Sequence, residues 1–241
     1  MRVVICGANG AMGKLLQEKF GRNVAGLVSI DGMNGVPRNF AELGDVNPDV
    51  VVDFSHHSAV ADVAKYAVES GCAMVVGTTG HTEAEKEIIY AASRAVPVFY
   101  TGNMSLGIAV LCNLAKQAAQ SFPEADIEIV EIHHNRKVDA PSGTAKMIFE
   151  AIKEVRPTAT ENCGRAGEGK RQPGEIGISS LRMGNIVGTH EVHITTASQQ
   201  LTLRHEAYDR GMFADGAVEA AKYLAGKPAG LYTMADLLEE I

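Results

Sequence analysis

The 241-residue chain lacks the features that mark several classes of protein. Its 22 lysines and arginines are outnumbered by 29 aspartates and glutamates, which leaves a net charge of −7. That balance argues against a nucleic-acid partner, because no global positive field is available to neutralise phosphates. No apolar run reaches the length that crosses a membrane. We therefore expect neither nucleic acid nor membrane among the partners.

Cysteines are few and are not paired in the sequence. Cys6, Cys72, Cys112 and Cys163 form no C-x-x-C motif, and all but Cys163 stand in apolar runs. This usage is typical of free thiols in a reducing compartment. The chain also enters an apolar strand at residues 2–6 without the pattern of a signal peptide. We expect a cytoplasmic location.

Short apolar runs alternate with amphipathic helical segments over the first hundred residues. The predicted strands are residues 2–6, 24–28, 49–54, 72–76 and 97–100. One predicted helix ends near residue 20, and two further helices span about 58–69 and 82–94. Such alternation predicts a Rossmann-like, doubly wound parallel sheet. A ligand of such a sheet lies beyond the carboxyl ends of its strands.

A glycine-rich turn follows the first strand, with the spacing G-x-x-G-x-x-G over residues 7–13. Glycines there let the backbone approach a pyrophosphate at the helix N-terminus, which is the opening of a dinucleotide-binding unit. Asn9 stands where the commoner fingerprint has glycine, and similar turns also join strands to helices without binding anything. Asp31, after the second strand, can bind the adenosine ribose, although Asp31 and Gly32 could form a simple turn. Polar residues stand where three further predicted strands end, at 53–55, 77–80 and 101–104. They strengthen the prediction, since they would line one crevice.

The pattern changes after residue 104. A long apolar helix at about 105–122 precedes a strand at 127–133, a helix at 142–155 and a basic, glycine-rich loop at 157–174 that is either a disordered tether or a mobile lid. Segments 175–182, 189–195 and 200–205 then alternate with period two, and helices at 212–224 and 232–238 end the chain. We predict an inserted α+β domain built on an open mixed sheet, largely antiparallel. The dinucleotide-binding domain would comprise residues 1–104 with 211–241, and the substrate-binding and oligomerisation domain residues 105–210.

The stretch 131–145 concentrates chemical groups between a strand and a helix. It holds His133, His134, Arg136 and Lys137, and the backbone amides of residues 142–144 would sit at a helix N-terminus, where anions bind. Adjacent histidines at a strand end face opposite ways, so one could be a core residue and the other solvated. A metal is less favoured, because residues 131 and 133 supply only two ligands on one strand face. The combination predicts a site for a small anionic molecule.

These stretches together resemble the 4-hydroxy-tetrahydrodipicolinate reductase (dihydrodipicolinate reductase) family over the whole chain. The similarity involves residues 7–13, 53–55, 76–80, 102–107, 164–167, 182–188 and 210–217, and above all 131–145. The run His-His-x-x-Lys-x-Asp-Ala-Pro-Ser-Gly-Thr in the last of these is highly specific. The first glycine motif alone would not be.

The resemblance implies a homotetramer that reduces a cyclic imine dicarboxylate, 4-hydroxy-tetrahydrodipicolinate, with NADH or NADPH on the diaminopimelate route to lysine. His133 would be the catalytic acid and Lys137 its catalytic partner. Substrate would be bound by His134, Ser142, Gly143 and Thr144. The cofactor, whose ribose would meet Asp31, would be held by three further stretches: Gly7, Ala8, Asn9, Gly10, Ala11 and Met12; Gly77, Thr78 and Thr79; and Thr101, Gly102, Asn103 and Met104.

The chemistry of the residues agrees with these roles. Hydride addition to a conjugated imine leaves an electron-rich enamine that must be protonated on carbon, and a histidine suits that role near neutral pH. A lysine ammonium can steady the developing charge and assist loss of the hydroxyl. The amides of residues 142–144 would take a substrate carboxylate.

Two positions depart from the family pattern. Met104 stands where phenylalanine is usual, a tolerable packing change. Gly32 follows Asp31 where NADPH-preferring members tend to have a basic residue, and the nearest base on that loop is Arg38. We therefore expect NADH to serve at least as well as NADPH.

Two other functions compete with this interpretation. Another Rossmann-type reductase, such as a relative of aspartate or homoserine dehydrogenase, would share the glycine turn but would not require His133, His134 and Lys137. A non-catalytic NAD(H)-sensing regulator would need a partner-binding or DNA-binding element, and the sequence contains no basic helix.

Overall fold

Two compact units make up the computed structural model, which describes residues 1–240. The first unit comprises residues 1–105 with 211–241, and the second residues 106–210. The first unit is therefore built from two separate stretches of chain, and the second from one.

The first unit contains a six-stranded, wholly parallel sheet. Its strands are β1 (Val3–Cys6), β2 (Val24–Val28), β3 (Val50–Asp53), β4 (Ala73–Val76), β5 (Pro97–Tyr100) and β11 (Gly230–Tyr232), in the order β11-β5-β4-β3-β1-β2. Its helices are α1 (Ala11–Phe20), α2 (Val60–Ser70), α3 (Glu83–Ser93), α6 (Gly211–Tyr223) and α7 (Met234–Leu238). Every residue of β1, β3 and β4 is buried, as expected of central strands that are covered on both faces. The Rossmann-like fold predicted for this region is confirmed.

Small residues let helix α6 pack closely in this unit. Ala214, Ala217 and Ala220 are buried, and a side chain on Gly216 would lie 1.7 Å from the carbonyl oxygen of Met104. The second chain segment is thus packed directly against the residues that follow β5. Met104 itself is buried.

The second unit contains a five-stranded mixed sheet with the order β10-β9-β6-β8-β7. Its strands are β6 (Asp126–His133), β7 (Thr160–Cys163), β8 (Glu175–Arg182), β9 (Gly188–Thr195) and β10 (Gln200–Ala207), and its helices are α4 (Leu106–Ser121) and α5 (Gly143–Lys153). The predicted mixed sheet is confirmed, but it is less antiparallel than expected. The pairs β6–β8 and β7–β8 are parallel, whereas β6–β9 and β9–β10 are antiparallel.

Both helices of this unit cover one face of the mixed sheet. Apolar side chains at alternate strand positions form its core with the buried faces of α4 and α5, among them Ile127, Ile129, Ile148 and Val192. The opposite face of β6 presents Glu128, Val130 and Ile132, which are only partly buried. The period-two pattern of the sequence thus corresponds to a sheet with one covered face.

The loop between β7 and β8 is fastened to the sheet by ion pairs. Arg171 contacts Asp126, Glu128 and Glu175, and Arg165 contacts Glu128 and Glu175. Two basic residues of this loop, which the sequence left as either a tether or a mobile lid, are therefore paired with carboxylates of their own domain.

The cysteines are unpaired in this structure, and their environments differ. Cys6 and Cys72 are buried, Cys112 is partly buried and Cys163 is exposed. No helix in residues 1–240 combines the length and apolar character that a membrane span requires. Within the same residues, no cluster of three or more histidine, cysteine or acidic side chains is arranged to hold a metal ion.

Candidate active site

A buried carboxylate, that of Glu131, lies at the centre of the site in the second unit. Glu131 and His133 alternate with the outward-facing Ile132 on β6, so both side chains point to the covered face of the sheet. Glu131 is 0% exposed. Burying a carboxylate is costly unless it is fully hydrogen-bonded, and four donors surround this one.

Two of these donors come from Arg182, at the end of β8. Its guanidinium binds both oxygens of Glu131 at 2.8 and 2.7 Å, and it also donates to the carbonyl of Asp139 at 2.6 Å. Burial by itself would raise the pKa of Glu131, but hydrogen bonds from His133 and Arg182 hold that pKa well below its usual range. The carboxylate is therefore ionised at neutral pH.

The third donor is the predicted acid, His133. Its Nδ1 lies 2.5 Å from Glu131 Oε2, and the residue is only 8% exposed. Because Nδ1 is engaged inside the protein, Nε2 is the ring nitrogen left to exchange a proton with another molecule. A side chain on Gly188 would lie 3.0 Å from that Nε2, so the glycine keeps the space beside it open.

The fourth donor is the backbone amide of Ser142, 3.1 Å from Glu131 Oε1. Ser142 is the N-cap of α5, and its hydroxyl accepts a hydrogen bond from the Ala145 amide at 3.1 Å. The structure thus gives the Ser142 amide an internal partner instead of the substrate carboxylate predicted from sequence. Among residues 1–240, no acceptor lies on the amide of Gly143, which therefore remains available at this helix N-terminus.

A third histidine, His190 on β9, completes the buried group. Its Nε2 lies 3.1 Å from the Ser142 hydroxyl, and its ring meets that of His133 edge-on with 5.2 Å between centroids. Burial, followed by the charge of His133, lowers the pKa of His190 to about 3. His190 is therefore neutral at physiological pH and does not compete with His133 for a proton.

The other predicted residues of this unit lie on the loop between β6 and α5. Lys137 is paired with Asp139, 2.8 Å from Nζ to Oδ1, and this contact lowers the pKa of Asp139. Burial and the positive charges of Arg136 and Arg210 lower the pKa of His134. The loop that leads into α5 thus presents a lysine paired with Asp139 and a neutral histidine.

The glycine turn of the first unit brings separate stretches of backbone into close contact. Gly7 has φ = +85°, and a side chain on it would lie 2.3 Å from the Phe54 carbonyl oxygen. A side chain on Gly13 would lie 2.2 Å from the Gly7 carbonyl oxygen. Both neighbours are backbone atoms that cannot give way, so the close approach of β1, α1 and the β3 exit depends on these two glycines.

The acidic residue beyond β2 is fixed to this turn. Asn9 donates from Nδ2 to Asp31 Oδ1 at 2.5 Å, and the Met33 amide donates to the same oxygen at 3.1 Å. These bonds, that from Asn9 first, lower the pKa of Asp31. The Arg38 side chain lies over Gly32, where an added Cβ would be 2.4 Å from its Nε. The structure therefore places the guanidinium of Arg38, the nearest basic residue of that loop in the sequence, beside Gly32 and close enough to Asp31 to influence its pKa.

The remaining predicted cofactor residues follow β4 and β5 at the same edge of the parallel sheet. The Thr78 hydroxyl accepts a hydrogen bond from the Ser55 amide at 2.9 Å, which joins the exits of β3 and β4. After β5, the Thr101 hydroxyl donates to the Asn103 carbonyl at 3.0 Å. With residues 7–12 after β1, all three predicted stretches lie at the carboxyl edge of the sheet.

Sequence reasoning missed three side chains of the site: Glu131 as an organising carboxylate, Arg182 and His190. Arg182 and His190 lie about 50 residues from their partners in the chain, and only the pairing of β6 with β8 and β9 brings them close. Glu131 carried a usable signal, since it stands two positions before His133 on a strand.

The fold and the site together define a class of protein. The first unit has a glycine-rich turn after β1, and the second has a buried histidine, His133, on the strand that precedes the N-terminus of α5. These features are typical of Rossmann-fold oxidoreductases. Family models described as "Dihydrodipicolinate reductase, N-terminus" and "Dihydrodipicolinate reductase, C-terminus" match residues 1–104 and 107–238. The chain therefore belongs to the dihydrodipicolinate reductase family, and the resemblance seen in the sequence is confirmed.

Similar proteins agree over the full length. The chain is 42% identical to the 4-hydroxy-tetrahydrodipicolinate reductase of Gluconobacter oxydans, with 99% of this chain and 97% of that protein covered. It is also 42% identical to the protein of the same name from Caldanaerobacter subterraneus, with 100% and 99% covered. Among solved structures, a dipicolinate-bound dihydrodipicolinate reductase from Paenisporosarcina superposes with a TM-score of 0.79 at 25% identity, covering 97% of each chain.

Proposed function

We propose that the protein reduces 4-hydroxy-tetrahydrodipicolinate to tetrahydrodipicolinate, with NADH or NADPH as the reductant, on the diaminopimelate route to L-lysine. One observation carries the proposal: His133 is held in a buried hydrogen-bond network directly before a loop with Lys137 and an available helix N-terminus. Relatives at 42% identity over the whole chain bear the name of that reductase, which supports the choice of substrate.

The cofactor would be held by the first unit, where the residues present fit a dinucleotide. Gly7 and Gly13 let the turn between β1 and α1 close tightly on the neighbouring backbone, which is the local geometry that brings a pyrophosphate to the N-terminus of the first helix, and Asp31 is an ionised acceptor for ribose hydroxyls. When bound, the nicotinamide supplies the hydride. We assign cofactor binding to residues 7–12, 77–79 and 101–104, which lie at one edge of the sheet.

Residues of the second unit would donate the proton and stabilise the charges that develop during the reaction. His133 would deliver its Nε2 proton to carbon, and Lys137 would stabilise the developing negative charge and assist departure of the hydroxyl as water. The overall change consumes one hydride and one proton and releases one water.

The substrate carboxylate would bind at the start of α5. The Gly143 amide is available there, and we assign Thr144 and the neutral ring of His134 to the same ligand. Ser142, whose amide and hydroxyl already have partners inside the protein, would contribute by shaping this helix start.

We also propose a cytoplasmic homotetramer that uses NADH at least as well as NADPH. The partly exposed Val130 and Ile132 on the open face of the sheet support assembly through that face. Gly32, in place of a basic residue, favours NADH, while Arg38 over that glycine would let NADPH bind as well.

A coupled assay tests the function. The substrate is made in situ from pyruvate and aspartate semialdehyde by the preceding synthase, and oxidation of NADH and of NADPH is followed side by side. We expect rapid oxidation that depends on the synthase. Failure with both cofactors, in protein shown to bind NADH, would contradict the proposal, and a kcat/KM more than tenfold higher with NADPH would contradict the cofactor preference.

The assembly is tested separately by light scattering of the purified protein. A mass near four times 25.6 kDa is expected, and a monomeric mass under assay conditions would contradict the tetramer.

A further inference from the structure

We propose that Glu131 is a positioning residue for His133: its carboxylate fixes which ring nitrogen delivers the proton, and it joins that acid to the helix start at Ser142. The inference rests on the proposed function, because it concerns the acid of that reaction. It adds a role for a residue that does not touch the reacting atoms.

The placement of Glu131 is costly for the fold alone. The positions that precede it on the same face of β6 are Ile127 and Ile129, both fully buried in the apolar core. A third apolar side chain would continue that core without any charge to neutralise. Buried ion pairs of this kind are often no more stabilising than well-packed apolar residues. A need beyond packing therefore accounts better for a carboxylate at this point.

The carboxylate determines the tautomer of His133. Glu131 is ionised and can only accept hydrogen bonds, so the Nδ1 that it contacts at 2.5 Å must carry a hydrogen. The proton that His133 gains and loses is then the one on Nε2. The same nitrogen faces Gly188, where the absence of a side chain leaves space beside it.

Glu131 also couples the acid to the anion-binding helix start. Oε2 accepts from His133 and Oε1 from the Ser142 amide, so one side chain sets the distance between the proton donor and the N-terminus of α5. Arg182 binds both oxygens and prevents the carboxylate from rotating. The carboxylate of Glu131 thus fixes the positions of His133 and of the N-terminus of α5 together.

The substitution Glu131→Gln tests the proposal. Glutamine keeps the shape of the Glu131 side chain but has an NH2 donor in place of one of the two carboxylate oxygens. The imidazole of His133 therefore loses the group that fixes its tautomer. We expect kcat in the synthase-coupled assay to fall at least about tenfold, because loss of the carboxylate that fixes the tautomer of a catalytic histidine lowers kcat even where the geometry is kept. KM for the substrate should change less than kcat. Glu131→Asp, which restores an acceptor-only group, should recover part of the loss.

Glu154→Gln is the control, because Glu154 lies in the same unit and is also paired with a cation, Lys116, yet stands at the end of α5, away from His133 on β6 and from the open face of the sheet. Its kcat should stay within about threefold of the unsubstituted protein. Equal losses in both variants would show that removal of any paired carboxylate from this unit is damaging, and would overturn the proposal.

Nitrogen NMR of protein labelled with ¹⁵N-histidine gives a readout independent of activity. The His133 signals are assigned by comparison with His133→Gln. We expect the neutral ring to be protonated at Nδ1 in the unsubstituted protein and to show a larger Nε2-protonated fraction in Glu131→Gln. An Nε2-protonated ring in the unsubstituted protein would overturn the proposal whatever the substrate is, whereas absence of turnover with the tautomer as expected would overturn only the proposed reaction.

Discussion

The two candidate sites of this molecule differ in the groups that form them. In the first unit the candidate site depends on the backbone, since Gly7 and Gly13 allow separate stretches of chain to come into close contact. In the second unit it is formed by side chains, since Glu131, Arg182 and His133 make a buried, charged network. A site made of backbone shape suits a cofactor shared by many enzymes, whereas a site made of charge suits one reaction.

Removal of the acid or the cation of the second site should have the largest effect. We expect His133→Ala and Lys137→Ala each to reduce kcat at least about a hundredfold, the contribution of a general acid, or about 2.7 kcal/mol of transition-state stabilisation. NADH affinity should be unchanged, because that site belongs to the first unit. Synthase-coupled kinetics and a fluorescence titration with NADH measure the two quantities. Normal turnover in either variant would remove that residue from the mechanism.

The same contrast explains how far the sequence could predict each site. The glycine turn is local, and its residues are consecutive, so residues 7–12 were predicted as a unit and lie together at the edge of the sheet. The network around His133 depends on Arg182 and His190, which reach it only through strand pairing. No local pattern specifies that pairing.

The fold shows a similar division. Buried runs such as Val50–Asp53 were predicted as strands because a central parallel strand is apolar throughout. Thr160–Cys163, an edge strand with polar and exposed residues, was assigned to a loop. Gly230–Tyr232 has only three residues and lies at the other sheet's edge. Edge strands bury little, so the apolar signal that identifies central strands is absent from both.

A smaller effect is expected when the backbone cradle of the first site is altered. In Gly13→Ala the new methyl group would meet the Gly7 carbonyl oxygen at 2.2 Å, so α1 must shift from the turn. We expect the Kd for NADH to rise about tenfold, which corresponds to about 1.4 kcal/mol. Gly169→Ala is the control, because a side chain there meets open space. Unchanged NADH affinity in Gly13→Ala would contradict the view that this site depends on close backbone approach.

The smallest predicted effect concerns Arg38, whose guanidinium lies beside Gly32 near the edge of the cofactor site. Arg38 is exposed, so its contribution to a 2′-phosphate should be about that of a surface ion pair. We expect Arg38→Ala to lower kcat/KM with NADPH about threefold and to leave the value with NADH unchanged. Equal losses with both cofactors would indicate that Arg38 supports the loop rather than the phosphate.

The division of the first unit between two chain segments has a consequence for protein synthesis. Strand β11 completes the parallel sheet beside β5, and α6 packs against residues next to Met104, yet both leave the ribosome only after the whole of residues 106–210. The second unit, encoded as one uninterrupted stretch, has all of its strands available first. During translation, the chain must therefore leave the β5 edge of the unfinished parallel sheet uncovered while the second unit is synthesised, which exposes that edge of nascent chains to aberrant pairing.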